Sequence, residues 1–210
     1  MEIPKVIVQT SRNPPYQYTI NMIRDKSPGW AYEHYTDNEI IQFFIKNPVE
    51  EFPHVIQKFY SFNYGEHRAD LFRYYYLYVN GGVYMDTDAM LEDNIENIVQ
   101  DYDFFSVNSS YFPDTIFQGF IGCSPKHPII YEALKDLYFI DNKQLLTNFH
   151  TLCKNMYNIV ASQRVKNKTL KIKLFEEVYG NTEDAHIIDT SRNNILVLVH
   201  YHIKKIIPYK

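Results

Sequence analysis

This sequence predicts a single α/β domain over residues 1–210, with a Rossmann-like, mostly parallel central sheet flanked by helices. Three observations lead there. "PKVIVQT" (4–10) is a compact β-branched run, the pattern of a buried first strand. It opens an alternation of strand-like and helix-like segments, the order that builds parallel α/β sheets. At 210 residues, with 45% hydrophobic and 22% charged, the chain can bury a substantial core, and no repeat or low-complexity linker divides it.

The elements follow in order. After "RNPPYQ" a helical periodicity runs to about Lys26, and "SPGW" (27–30) breaks it. "AYEHYT" (31–36) reads as a second strand. "DNEIIQFFIKN" (37–47) reads as a helix with Asp37 as its N-cap. "GEHRADLFRYYYLYVNGG" (65–82) is a longer helix, ended by Asn80 and Gly81, residues able to take the left-handed conformation of a C-cap. "VYMDTDAM" then reads as a strand that stops at its carboxylates. Further strands are expected at 102–108, 117–125 and 194–202, a helix at 127–139 and a helical hairpin over 143–165.

Composition removes several function classes. A net charge of −4 argues against a nucleic-acid surface, and the one basic run, "KNKTLKIK" (166–173), reads as a solvated strand or turn. Cys123 and Cys153 have neither CxxC nor metal spacing and read as free thiols. "MEIPKVIVQT" does not resemble a secretory signal, and no apolar stretch approaches the roughly 18 residues of a membrane span. A cytoplasmic or otherwise soluble location is therefore expected. Nineteen Tyr and 14 Phe stand against one Trp. That excess suits clefts for polar ligands, or reflects codon bias equally well.

The chemistry concentrates in "GGVYMDTDAM" (81–90). In an open α/β sheet, ligands collect at the carboxyl ends of strands, where this reading puts the aspartates. Residues i and i+2 of an extended chain project to one side, so Asp86 and Asp88 present two carboxylates together while Thr87 faces away. Such a pair repels unless it meets a cation, and oxygen ligands favour Mg²⁺ or Mn²⁺. Alone, Asp-x-Asp is more often a solvated turn. The preceding helix alters that balance, because Asp70, Arg73, Tyr74 and Leu77 share one face. An Asp/Arg pair in a cleft offers an acceptor and a five-donor fork to a hydroxylated ligand, and the glycine pair turns that helix back towards the aspartates.

"ADLFRYYYLYVNGGVYMDTDAML" resembles the signature of glycosyltransferase family 32, the DxD-containing group that includes initiating α-1,6-mannosyltransferases. It is similar, more distantly, to the glucosyltransferase domains of clostridial toxins. "IPKVIVQT", "YTDNEI", "GFIGCSPKHPII" and "VLVHYH" extend the resemblance loosely over most of the chain. The resemblance implies a GT-A fold, a nucleotide-diphosphate sugar donor (UDP favoured, GDP possible), Mn²⁺ or Mg²⁺, and retention of anomeric configuration. It implies a glycan, glycoprotein or lipid-linked acceptor. By position, Asp86 and Asp88 would hold the metal on the donor diphosphate, with Thr87 between them. Asp70 and Arg73 would hold the donor sugar, Tyr84 would line its pocket, and Val8, Gln9 and Thr10 would lie near the base. His200 matches the family's C-terminal histidine, a metal or phosphate contact, with His202 its rival. The family's tryptophans are not matched: Ser11 and "IKKIIPYK" stand where they are often found. Two other readings compete, a metal-dependent phosphohydrolase and a non-catalytic sugar-binding module. For the first, Glu92 and Asp93 are the available extra carboxylates, although they read as a solvated turn.

Overall fold

The computed structural model describes residues 2–179 and 184–201. The front of the chain alternates as expected: β1 (Val6–Thr10), α1 (Gln17–Lys26), β2 (Ala31–Tyr35) and α2 (Asp37–Lys46). The N-cap of α2 is Thr36 rather than Asp37. Glu39 reaches back to accept from the Thr36 N–H and hydroxyl, both at 2.7 Å, which leaves Asp37 in the first turn, where its charge complements the helix dipole. The short α3 (Val55–Ser61) precedes α4 (Gly65–Asn80) and β3 (Gly82–Met85). Asn80 stays helical, and Gly81 makes the exit at φ 68°, ψ −162°, a region open essentially to glycine alone. Gly82 follows at φ 103°. The glycine pair is therefore a backbone requirement of the tight return from α4 into β3.

The second half comprises β4 (Ala89–Leu91), α5 (Ile95–Val99), β5 (Phe104–Asn108), β6 (Ile116–Cys123), α6 (Pro128–Phe139), α7 (Asn142–Thr147), α8 (Thr151–Lys166), β7 (Ile172–Tyr179), β8 (Ala185–Asp189) and β9 (Ile195–His200). These strands form one nine-stranded sheet in the order β2-β1-β3-β6-β5-β7-β8-β9-β4. The α/β class with flanking helices is as expected, but the sheet is mixed rather than mostly parallel. Among the described residues, parallel pairing is confined to β2–β1, β1–β3 and β5–β7. The remaining pairs are antiparallel; short connections return β5 into β6 and β8 into β9, whereas parallel pairs need crossover connections. The basic run at 166–173 ends α8 and enters β7.

Strand order carries the functional consequence. β3 lies third and β4 ninth, yet residues 86–88 alone connect them. The sheet must curl until its far edge returns beside β3, and the aspartates sit where it closes.

Period-two alternation gives the sheet two cores. Val8 and Tyr84 join the helices α2, α3, α4, α6 and α8 on one face, while Ile7, Val83 and Met85 pack with α1, α5 and β4 on the other. Much of the tyrosine excess is structural here. Tyr74, Tyr75 and Tyr76 of α4 are buried, and their hydroxyls donate to Gln118 Oε1, Asn47 O and Glu33 Oε2 at 2.6, 2.7 and 2.8 Å.

Candidate active site

β3 stops at Met85, and the next three residues form a tight turn instead of continuing the strand. Asp86 N–H donates to Gly119 O at 2.9 Å, and Ala89 N–H donates back to Asp86 O at 3.1 Å. Asp86 and Asp88 therefore converge through a turn and not through the extended pleat that the sequence suggests. Gln9 props the turn by donating from Nε2 to Asp86 O at 3.0 Å, and the Tyr32 hydroxyl fixes Gln9 Oε1 at 2.8 Å. From the other edge of the sheet, β9 pairs with β4 and places His200 Nε2 3.2 Å from Asp88 Oδ1. Among the described residues, Asp86, Asp88 and His200 each offer one ligand atom, all within 4.8 Å of one another. These three could hold a metal ion.

The α4 face meets this turn as expected. Arg73 is 6% exposed, and its guanidinium is committed: Nη1 donates to Gln118 O at 2.7 Å, and Nη2 reaches Tyr84 Oη and Asp86 Oδ1, each at 3.3 Å. It also lies over the Tyr84 ring at 4.3 Å and beside Asp70, with Nη1 3.5 Å from Oδ1. The Tyr84 hydroxyl donates to Asp86 Oδ1 at 2.9 Å. Burial holds that phenol protonated, which keeps it a donor. Asp86 thus receives two protein contacts on Oδ1, and its aim is set before any ligand arrives.

Electrostatics divide the carboxylates. Burial pushes Asp70 up to about 6, against the opposing pull of Arg73. Burial alone would lower His200, but its hydrogen bond to Asp88 and the nearby Asp86 and Glu177 charges outweigh it and raise the imidazole. The site concentrates negative charge around a histidine, the environment a cation relieves.

Gly119 gives the site its room. A Cβ there would overlap Asp86 Oδ2 and the Phe117 ring. Gly119→Ala should therefore turn the Asp86 carboxylate aside and weaken Mn²⁺ binding roughly 10–100-fold, the usual cost of disturbing a ligand's support. Calorimetric Mn²⁺ titration checks this, and unchanged affinity would remove Asp86 Oδ2 from the metal shell.

The other expected residues fare differently. Val8 and Gln9 have no exposed surface: Val8 packs in the core and Gln9 braces the turn. Thr10 is part-buried and donates to Tyr35 O at 2.8 Å, and Thr87 sits part-buried in the turn. Tyr84, 1% exposed, supports Asp86 rather than lining an open pocket. Glu92 lies beside Asp93, which is no solvated turn residue: its Oδ2 accepts from Arg192 Nη1 at 2.6 Å. His202 and "IKKIIPYK" lie outside the described residues. Sequence reasoning missed Gln118 and gave no role to Gly119, which opens the "GFIGCSPKHPII" segment; both reach the site through β3–β6 pairing.

Residues 14–105 match the model of the family described as "glycosyltransferase sugar-binding region containing DXD motif". Over that stretch the chain is similar to DXD-type glycosyltransferase sugar-binding regions. Among curated relatives of this region, inositol phosphoceramide mannosyltransferase 1 of Schizosaccharomyces pombe is 29% identical over 143 residues, covering 65% of this chain and 43% of that protein. Mannosyl phosphorylinositol ceramide synthase SUR1 of Saccharomyces cerevisiae is 32% identical, covering 66% and 36%. The chain thus spans less than half the length of either. A solved structure titled PaToxG Glycosyltransferase aligns at 12% identity with a TM-score of 0.49, covering 78% of this chain and 75% of that one. No described helix is long and apolar enough to cross a membrane.

Proposed function

We propose that this chain is a metal-dependent, retaining glycosyltransferase domain that moves a sugar from a nucleotide-diphosphate donor to a hydroxyl acceptor. The observation that carries the reading is the convergence of Asp86, Asp88 and His200 beside the part-buried Asp70 and its buried partner Arg73. Two carboxylates and an imidazole make a mixed oxygen–nitrogen set, which suits Mn²⁺ better than Mg²⁺. A divalent cation held there supplies Lewis-acid stabilisation of the charge that develops on a departing diphosphate.

The protein's own groups do the rest. Arg73 and Tyr84 hold Asp86 at a fixed aim. Because Arg73 has spent both terminal nitrogens on protein partners, Asp70 is the member of the pair left to meet the donor sugar, accepting hydrogen bonds from its hydroxyls. Same-face attack by the acceptor hydroxyl accounts for retention. The names of the yeast relatives make mannose the first sugar to test and a lipid-borne or glycan hydroxyl the acceptor class.

Mn²⁺ together with UDP or GDP is expected to raise the melting temperature, while either alone does little. Screening UDP- and GDP-sugars for Mn²⁺-dependent nucleotide release then identifies the donor. Absence of metal-dependent nucleotide stabilisation would sink the transferase reading; release of inorganic phosphate instead of nucleotide would favour a phosphohydrolase.

A further inference from the structure

Beside the donor site, aromatic rings from three separated segments join into a surface chain. Tyr64, just before α4, lies 5.7 Å from the His67 ring, and His67 lies 5.0 Å from Phe149 at the α7–α8 junction. Phe149 continues to His150 at 5.5 Å, His150 to Phe112 at 4.4 Å, and Phe112 to Tyr111 at 4.7 Å. Tyr64, Phe149 and Tyr111 are 46%, 48% and 68% exposed, so the chain of rings reaches solvent along its length. Contiguous exposed aromatics of this kind mark binding surfaces more often than solvent-facing ones.

Two features tie this surface to the chemistry. His67 stands three residues before Asp70 on α4, hence on the same helical face. The loop bearing Tyr111 and Phe112 runs directly into β6, where Phe117 meets the His200 ring at 4.8 Å, Gln118 holds Arg73, and Gly119 holds Asp86. Glu177 fixes the start of that loop by accepting from the Ser109 hydroxyl and the Ser110 N–H, at 2.7 and 2.8 Å. That end of the surface is braced before any ligand arrives.

His67 says what it takes. It is 2% exposed, yet neither ring nitrogen has a hydrogen-bond partner. Burial lowers its affinity for a proton, so the neutral ring keeps one donor and one acceptor to offer. A hydroxyl satisfies either, whereas an alkyl chain satisfies neither. Flat aromatic faces suit the C–H faces of a saturated six-membered ring, and tyrosine hydroxyls suit its polar edges. We infer that this ring chain is an acceptor subsite for a hydroxylated six-membered ring, a sugar or a cyclitol, with His67, enclosed by Tyr64 and Phe149 in the free protein, as the hydrogen-bonding group that the ligand reaches by parting those two exposed rings. The inference rests on the transferase reading for the word acceptor alone.

Saturation-transfer NMR with methyl α-mannoside, representing a glycan, and with myo-inositol, representing a lipid headgroup, tests it on the whole chain. At least one probe should bind, and the Tyr111→Ala/Phe112→Ala double variant should weaken it about tenfold or more. His67→Phe, which keeps the packing and removes both nitrogens, should weaken it as well. Phe139→Ala, equally exposed but outside the ring chain, should not. Metal-dependent stabilisation by UDP or GDP should persist in all three variants. Loss of that stabilisation in the parent chain would overturn the transferase reading while ring binding still decided this one. No binding of either probe, or equal binding by the double variant, would overturn the inference. So would binding to phosphatidylcholine vesicles that the double variant loses without any ring-probe binding.

Discussion

Asp88→Ala is expected to cut Mn²⁺-dependent nucleotide release from the donor on the order of 10³-fold, with the fold intact. A bound cation contributes several kcal/mol to a departing diphosphate, and each 1.36 kcal/mol is about tenfold in rate. The Asp88 carboxylate is partnered by His200, a part-exposed imidazole that can release its proton, so its removal strands no permanently charged group. Asp86→Ala should lose as much activity and also destabilise the protein by about 2 kcal/mol, because Asp86 is the nearer carboxylate to the buried Arg73, at 3.3 Å against 3.5 Å for Asp70. Rate and denaturant midpoint, measured together, separate the two roles. Full metal-dependent turnover in both variants would end the metal assignment, and equal stability in both would end the bracing role of Arg73.

Asp189→Ala should produce the largest loss of stability. Asp189 is 1% exposed at the end of β8 and accepts from Lys173 Nζ, from Ser191 N and Oγ at 3.0 and 2.7 Å, and from Arg192 Nε at 2.7 Å. Arg192 carries the network on to Asp93. Removing the shared acceptor strands Lys173, whose side chain is 11% exposed, and should cost roughly 3–5 kcal/mol. For a chain of this size that is a fall in melting temperature of about 10 °C.

The pH dependence has a definite sign. Burial alone would raise Asp189, but hydrogen bonds from Arg192, Lys173 and Ser191 outweigh it and hold the carboxyl well below the usual carboxylate range. A carboxyl depressed by folding stabilises the protein above its unfolded pKa of about 3.9, and that contribution is lost as pH falls towards the folded value. Urea midpoints of the parent chain should drop between pH 5 and 2 more steeply than those of Asp189→Asn. Parallel slopes would show that the network does not carry the acid sensitivity.

The legible part of this protein was local. The β1-α1-β2-α2 alternation, the long helix around Asp70 and Arg73, the glycine return and the Asp-x-Asp are each spelled by neighbouring residues. Periodicity and turn chemistry act over a few positions, which makes them readable along the chain. Even here the reading slipped where two local solutions compete. Asp37 and Thr36 are both good caps, and Glu39 decided between them. Asp86 and Asp88 would align on a strand as well as in a turn, and the Gly119 carbonyl chose the turn.

Sequence by itself determined which groups are present for chemistry: two carboxylates after a glycine pair, an Asp/Arg helix face, and a histidine near the C-terminal end. Tertiary structure decided what each group does. The antiparallel second half curls the sheet until β4 and β9 return beside β3, which brings His200 to Asp88 across more than a hundred residues. Pairing of β6 with β3 supplies Gln118 and Gly119, which occupy Arg73 and make space for Asp86. Such contacts depend on strand register between distant segments, and no spacing along a single chain encodes that directly.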